Sequence, residues 1–183
     1  DKDERTYLSH TALGKIATQM SLSPETIVLL AKAYAELHHP TDFDLLLIAC
    51  LADEVTPKLG FNFEEIDHLG DLVQQASSHL LSRTVSQVSH LRSQCTEQSL
   101  LSAIKCATIL HAHTHLEDLA ALAERFDCYP ADLQSLKRNV VWVLEAAQRV
   151  FAVLNRQEFY REHEDEEDPG KPPRSAHELV AEG

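Results

Sequence analysis

Ala131-Asp132-Leu133-Gln134-Ser135-Leu136-Lys137-Arg138-Asn139-Val140-Val141-Trp142-Val143-Leu144-Glu145-Ala146-Ala147-Gln148-Arg149-Val150-Phe151-Ala152-Val153-Leu154 is the stretch whose reading decides the fold. Its apolar residues Leu133, Leu136, Val140, Val143, Leu144, Ala147, Val150, Phe151 and Leu154 recur at three- and four-residue steps. That is the period of a helix with one buried stripe. Trp142, the only tryptophan of the chain, falls off this stripe. At about 100° per residue it projects roughly 140° from the stripe's centre. Ser135, Arg138 and Arg149 share its side of the helix. A flat ring beside guanidinium groups has the chemistry for stacking on a nucleic-acid base. A helix buried on two sides, with Trp142 packed on a second neighbour, accounts for the same pattern.

Outward from this segment, the remaining sequence also reads as helix. Only five glycines occur among 183 residues, and no alternating strand pattern is sustained. Thr11 to Gln19 reads as a short helix. Ser23 then serves as N-cap with Pro24 in the first helical position, for a helix running to about Leu37. Thr41 with Asp44 three residues on begins an apolar helix ending near Glu54. A long or broken helix is predicted over residues 63–92 and another from about Glu97 to His111. Thr114 with Glu117 is the expected cap of the next, and Pro130 opens the Trp142 helix. Short loops between about seven helices predict an all-α antiparallel bundle.

Composition narrows the function. Hydrophobic content of 44% and charged content of 25% belong to a soluble globular chain with a core of its own. The longest apolar run, Leu45 to Ala52, is too short to span a bilayer. No signal peptide is visible and the first residue is Asp1, so the chain is expected to be an excised part of something longer and cytoplasmic. The four cysteines, Cys50, Cys95, Cys106 and Cys128, form no CxxC pair and read as reduced.

Net charge is −13, opposite to that of a free-standing nucleic-acid binder. Residues 156–183 carry nine acids and four bases, a net of −5, which leaves −8 for residues 1–155. Against this background the Trp142 helix holds Lys137, Arg138 and Arg149 against Asp132 and Glu145, a net of +1. After Asn155 the apolar pattern fails, and residues 156–183 have the composition of an acidic, flexible tail.

No GxxxxGK[ST], GxGxxG or GxSxG occurs, so neither a phosphate cradle nor a serine nucleophile is expected. His111, His113 and His115 place three imidazoles in five residues, a pattern that invites a metal reading. Their position at the end of a helix gives the simpler reading of cations on the dipole, and no metal site is expected. His38-His39 reads likewise. Glu64-Glu65 and Glu117-Asp118 are acids in first helical turns rather than a catalytic pair. A helix-turn-helix over Leu116 to Leu136, presenting Asp132, Gln134, Ser135 and Arg138, is disfavoured by the acidity of the chain.

Several stretches together resemble a known family. Ala12-Leu13-Gly14-Lys15-Ile16-Ala17 followed by Ser21-Leu22-Ser23-Pro24-Glu25-Thr26 is similar to the exit from the winged-helix domain in Ski-like superfamily 2 helicases. Lys105-Cys106-Ala107-Thr108-Ile109-Leu110, Glu124-Arg125-Phe126 and Tyr129-Pro130-Ala131-Asp132-Leu133 follow the family's later pattern. Trp142 falls where the archaeal fork-unwinding DNA helicases of this branch keep a tryptophan.

The resemblance implies residues 1–22 as the end of a winged-helix-like region, 23–155 as a helical ratchet bundle and 156–183 as the tail. It implies an accessory domain of an ATP-dependent DNA helicase, without catalysis or cofactor of its own. ATP and magnesium would belong to the motor domains of the parent. Its expected partners are single-stranded DNA or RNA and the motor and winged-helix domains of the same chain, with no membrane. The strand-contacting residues so implied are Trp142, Arg138, Ser135, Arg149 and Lys137. The family's stacking Arg, two turns before the Trp, is replaced here by Ser135. A helical protein-interaction scaffold is the alternative, and the −13 charge favours it.

Overall fold

A computed structural model describes residues 11–37, 40–62, 64, 65, 67, 68 and 97–166. Among them every regular element is a helix: α1 (Ala12–Met20), α2 (Pro24–Glu36), α3 (Asp42–Leu51), α4 (Glu97–Thr114), α5 (Leu119–Arg125) and α6 (Pro130–Glu166). The expected all-α bundle is what forms. Most of the helix expected over residues 63–92 lies outside the described residues.

The starts of the first helices follow local chemistry. Thr11 caps α1 through the Gly14 N–H, and Ser23 caps α2 through the Thr26 N–H with Pro24 directly behind it. At α3 the capping box is complete: Thr41 accepts from the Asp44 N–H, and Asp44 accepts from the Thr41 N–H at 2.8 Å.

Three helices end on a non-glycine residue in the left-handed region, Ser21 (φ 51°), Leu116 (φ 72°) and Asp127 (φ 46°). In each case the next N–H reaches back five residues: Leu22 to Ala17 at 2.9 Å, Glu117 to Ala112 at 3.3 Å, Cys128 to Ala123 at 2.9 Å. These are Schellman closures that satisfy the last carbonyls. One of them relocates an expected cap. Because α4 runs on to Thr114, His115 to Glu117 are used in closing it. The Thr114 hydroxyl donates to the His111 carbonyl at 2.6 Å. Asp118 is the cap of α5 instead, accepting from the N–H groups of Ala120 and Ala121.

Helix α6 is the spine. It contacts α1, α2, α3 and α5, while α3 and α4 form the other extensive contact. Leu133, Leu136, Val140, Val143, Ala146, Ala147 and Val150 are buried along it, and Leu144, Phe151 and Leu154 are partly buried beside them. Full burial of each large side chain contributes about 1.5–3 kcal/mol. The stripe read from the sequence is therefore the core face, with Ala146 added at its edge.

The last helix does not stop at Asn155, where the apolar pattern ends, but continues to Glu166. Arg156, Gln157 and Glu158 are good helix formers, and α2 holds the extension from the side. Tyr34 lies 5.5 Å from the Phe151 ring, centroid to centroid, and its hydroxyl donates to Glu158 at 2.9 Å. Residues 167–183 lie outside the described residues. No helix among the described residues is long and apolar enough to cross a membrane.

The connection from α3 to α4 is fastened at several points. Lys58 Nζ donates to the carbonyls of Cys50 and Ala52 at 2.8 and 2.7 Å, covering the open end of α3. Ser102 donates to the Leu59 carbonyl at 2.8 Å. Asn139 of α6 donates to the Thr56 carbonyl at 2.7 Å. Lys105, only 3% exposed, places Nζ 2.8 Å from the Gly60 carbonyl and 2.8 and 2.9 Å from the two carboxylate oxygens of Glu65.

Candidate nucleic-acid interface

The register of α6 is fixed from both sides. Phe151 and Glu158 meet Tyr34 of α2, and Asn139 meets the loop after α3. Stepping about 100° per residue from these anchors turns Trp142 away from α2, to the border between core and solvent. Its side chain is partly buried and packs against the core, with the remainder open. An aromatic held in this way has one supported side and one usable side. A tryptophan buried on both sides would have no usable side.

Ser135 and Arg149 stand seven residues before and after Trp142, about 10.5 Å in each direction at 1.5 Å per residue. Ser135 is partly buried, and Arg138 and Arg149 are exposed. Arg138 leans back toward the helix N-terminus, the direction helical side chains prefer. There its Nη2 donates to Ser135 Oγ at 3.3 Å. The guanidinium of Arg138 thus occupies the space beside the position two turns before the Trp. Four of the five residues singled out from the sequence, Ser135, Arg138, Trp142 and Arg149, consequently lie along one edge of α6.

The fifth is directed elsewhere. Lys137 is five residues from Trp142, roughly 140° round the helix, and its Nζ lies 3.0 Å from His113 Nε2. His113 Nδ1 lies 2.9 Å from the Glu117 carbonyl oxygen. A carbonyl only accepts and an ammonium only donates, so both contacts hold together when Nδ1 bears the proton and Nε2 is the acceptor.

The other two histidines of this cluster also serve local structure. His115 Nδ1 lies 2.8 Å from the His111 carbonyl, and the two rings sit 4.5 Å apart. His111 meets Phe43 edge to face at 5.6 Å. No group of three or more His, Cys, Asp or Glu side chains among the described residues is arranged to hold a metal ion. Burial, and secondarily the neighbouring His115, hold the His111 imidazole below its ordinary value against an opposing pull from Asp42.

A pH dependence follows from that depression. The unfolded chain binds this proton near pH 6.5 and the folded chain only at lower pH. The contribution of His111 to stability is therefore fully present above about pH 6.5 and is lost as pH falls beneath it. Thermal unfolding near pH 7.5 and near pH 5.5 should show a smaller acid-induced drop for His111→Gln than for the parent sequence. Equal drops would contradict this assignment.

Burial raises the thiols of all three described cysteines, of which Cys128 is only partly buried. Cys50 and Cys106 are buried, and Cys50 lies well above its ordinary value. Thiols in such surroundings are poor nucleophiles.

One cation on this edge escaped the sequence reading. Arg156 is exposed and stands seven residues beyond Arg149 on the same continuous helix. The signal was its heptad spacing from Trp142 and Arg149, hidden because the apolar stripe ends before it.

Comparisons with known proteins place this geometry in a family. No curated protein and no solved structure matches the chain. The family model described as archaeal helicase, domain 4, matches residues 43–167, a span that takes in all but the first residue of α3, then α4, α5 and α6 with the whole Ser135 to Arg149 edge. That span is well over half of the 183 residues, and the chain belongs to the archaeal helicase domain 4 family.

Proposed function

We propose that this chain is the ratchet-type accessory domain of an ATP-dependent superfamily 2 DNA helicase, and that α6 contacts the translocating single strand. The observation that carries the reading is the α6 edge. A core-backed tryptophan lies between Arg149 on one side and, on the other, an Arg138 guanidinium drawn to Ser135. Trp142 offers a π-face to any base, and the arginines offer charge to phosphate or a planar group to a neighbouring base. Such contacts tolerate any sequence, as a motor that travels along a strand requires.

In this proposal Arg138 supplies the guanidinium that the Ski-like pattern places at the position of Ser135. Ser135 lines the path, and Lys137 adds a cation on the flank. The chemistry of ATP and magnesium belongs to motor domains of the parent chain. Residues 1–22 correspond to the exit from its winged-helix region, and the ratchet bundle from residue 23 includes the whole of α6, with the acidic tail following it. Work from the motors moves successive bases past Trp142, while the bundle holds α6 alongside their path.

The −13 net charge favours a second reading, a helical scaffold that contacts neighbouring protein domains. The two are separated in the parent helicase carrying Trp142→Ala. Strand gripping by α6 requires ATP hydrolysis to persist while strand separation slows. Undiminished strand separation would leave the scaffold as the better account.

A further inference from the structure

We infer that the strand-binding edge of α6 extends past the core-packed part of the helix to Arg156, so that the path comprises Ser135, Arg138, Trp142, Arg149 and Arg156. This rests on the reading of Trp142 and its neighbours as the strand contact. Helix α6 runs without a break from Pro130 to Glu166. In an unbroken helix, residues seven apart drift by only about 20°. Trp142, Arg149 and Arg156 therefore fall within roughly 40° of one another, about 10.5 Å apart along the axis.

The roll of the helix at this point is set by contacts and not by extrapolation alone. Tyr34 of α2 engages Phe151, Asn155 and Glu158, with its hydroxyl 3.4 and 2.9 Å from the last two. Stepping from those three residues turns Arg156 well over 90° from the α2 side, toward the edge that carries Arg149. Arg149 and Arg156 are both exposed. The acid nearest to Arg156 in the sequence, Glu158, is taken up by Tyr34 on the other side of the helix. A phosphate backbone following the edge passes the exposed Glu145 and meets a cation at each of two successive heptad steps beyond the Trp. The sequence turns acidic from Glu162 onward, with Glu164, Asp165, Glu166, Glu167 and Asp168. That charge is unfavourable for phosphate, and Arg156 is the last cation at heptad spacing from Trp142 before it.

Chemistry defines the occupant. It is single-stranded nucleic acid, bound through base stacking at Trp142 and through phosphate at the two arginines, without sequence preference. The test is the fluorescence anisotropy of a labelled oligothymidylate with the full 183-residue chain, measured across a series of salt concentrations. Each phosphate contact on a single strand contributes about 0.7 to the slope of log affinity against log salt. Arg156→Gln should lower the slope by about 0.7 and weaken binding about fivefold at 0.1 M salt. Arg149→Gln should do the same, and Arg156→Lys should restore the slope. Lys15→Gln on α1 is the comparison for a change of net charge alone.

If Trp142→Ala and Arg149→Gln weaken binding while Arg156→Gln behaves like Lys15→Gln, the extension is overturned and the strand contact stands. If the unaltered chain does not bind the oligonucleotide, both are overturned. Circular dichroism of Arg156→Gln checks that α6 persists, and a slope restored by Arg156→Lys assigns the loss to charge.

Discussion

Glu65→Ala is expected to destabilise the protein by about 3–5 kcal/mol, the usual cost of removing one partner from a buried ion pair. Lys105 is the most deeply buried cation in contact with a carboxylate among the described residues, with side-chain exposures of 3% for Lys105 and 19% for Glu65. Its ammonium has three donors, and the structure uses them on the Gly60 carbonyl and both Glu65 oxygens, all within 2.9 Å. Without Glu65 the charge keeps one neutral partner and little water. Glu65 also closes a reciprocal cap with Asn62, accepting from its N–H at 3.0 Å while Asn62 Oδ1 accepts from the Glu65 N–H at 2.9 Å. Both losses act in the same direction.

The same physics predicts a rescue. Lys105→Met together with Glu65→Gln removes both charges, so no uncompensated ion remains, and most of the stability should return. Urea unfolding at constant denaturant dependence reads both changes as shifts of the midpoint. A cost for Glu65→Ala below about 1 kcal/mol, the range of exposed pairs, would show that this pair is not the fastening described here.

Trp142→Ala carries the largest expected effect on binding. Removing one base-stacking aromatic costs about 1–3 kcal/mol, or about fivefold to 150-fold in affinity for single-stranded DNA. Trp142→Phe keeps a smaller π-face and should fall between the two. A partly buried ring also belongs to the core, so Trp142→Ala lowers stability as well, and affinity must be compared where each variant is folded. The two contributions part in Trp142→Leu, which restores apolar volume without a π-face. Stability should then recover while affinity stays low. Recovery of both would assign Trp142 to packing.

What the sequence made legible follows from the range of the interactions. Ser23-Pro24, Thr41 with Asp44 and the α6 stripe were readable because each acts within a few residues. The displaced position of Trp142 was readable for the same reason, since helical period alone sets it. Lys105 and Glu65 are 40 residues apart, and Tyr34 and Glu158 are 124 apart, so neither partner was visible in advance. The second pair bears on α6 directly. Local composition reads residues 156–166 as tail, whereas a tertiary contact from α2 supports them as helix, and that difference concealed Arg156.

Thr114 illustrates a different miss. Thr114 and Asp118 both precede apolar residues, and only the closure of α4 through Leu116 decides that Asp118 caps α5. The partner of Arg138 was also beyond the sequence. A helical side chain prefers to lean toward the N-terminus, and the bond to Ser135 Oγ shows which group Arg138 meets there.

Trp142 is the only tryptophan, so the emission of the chain reports on that one ring and on whether it meets a strand. The direct measurement is a titration of the 183-residue chain with single-stranded oligothymidylate at low salt, following that emission. The account predicts a saturable change in intensity that weakens as salt rises and is absent with free thymidine at matched absorbance. Emission that stays constant through the titration, while anisotropy shows the oligonucleotide bound, would place the strand elsewhere on the protein and contradict it.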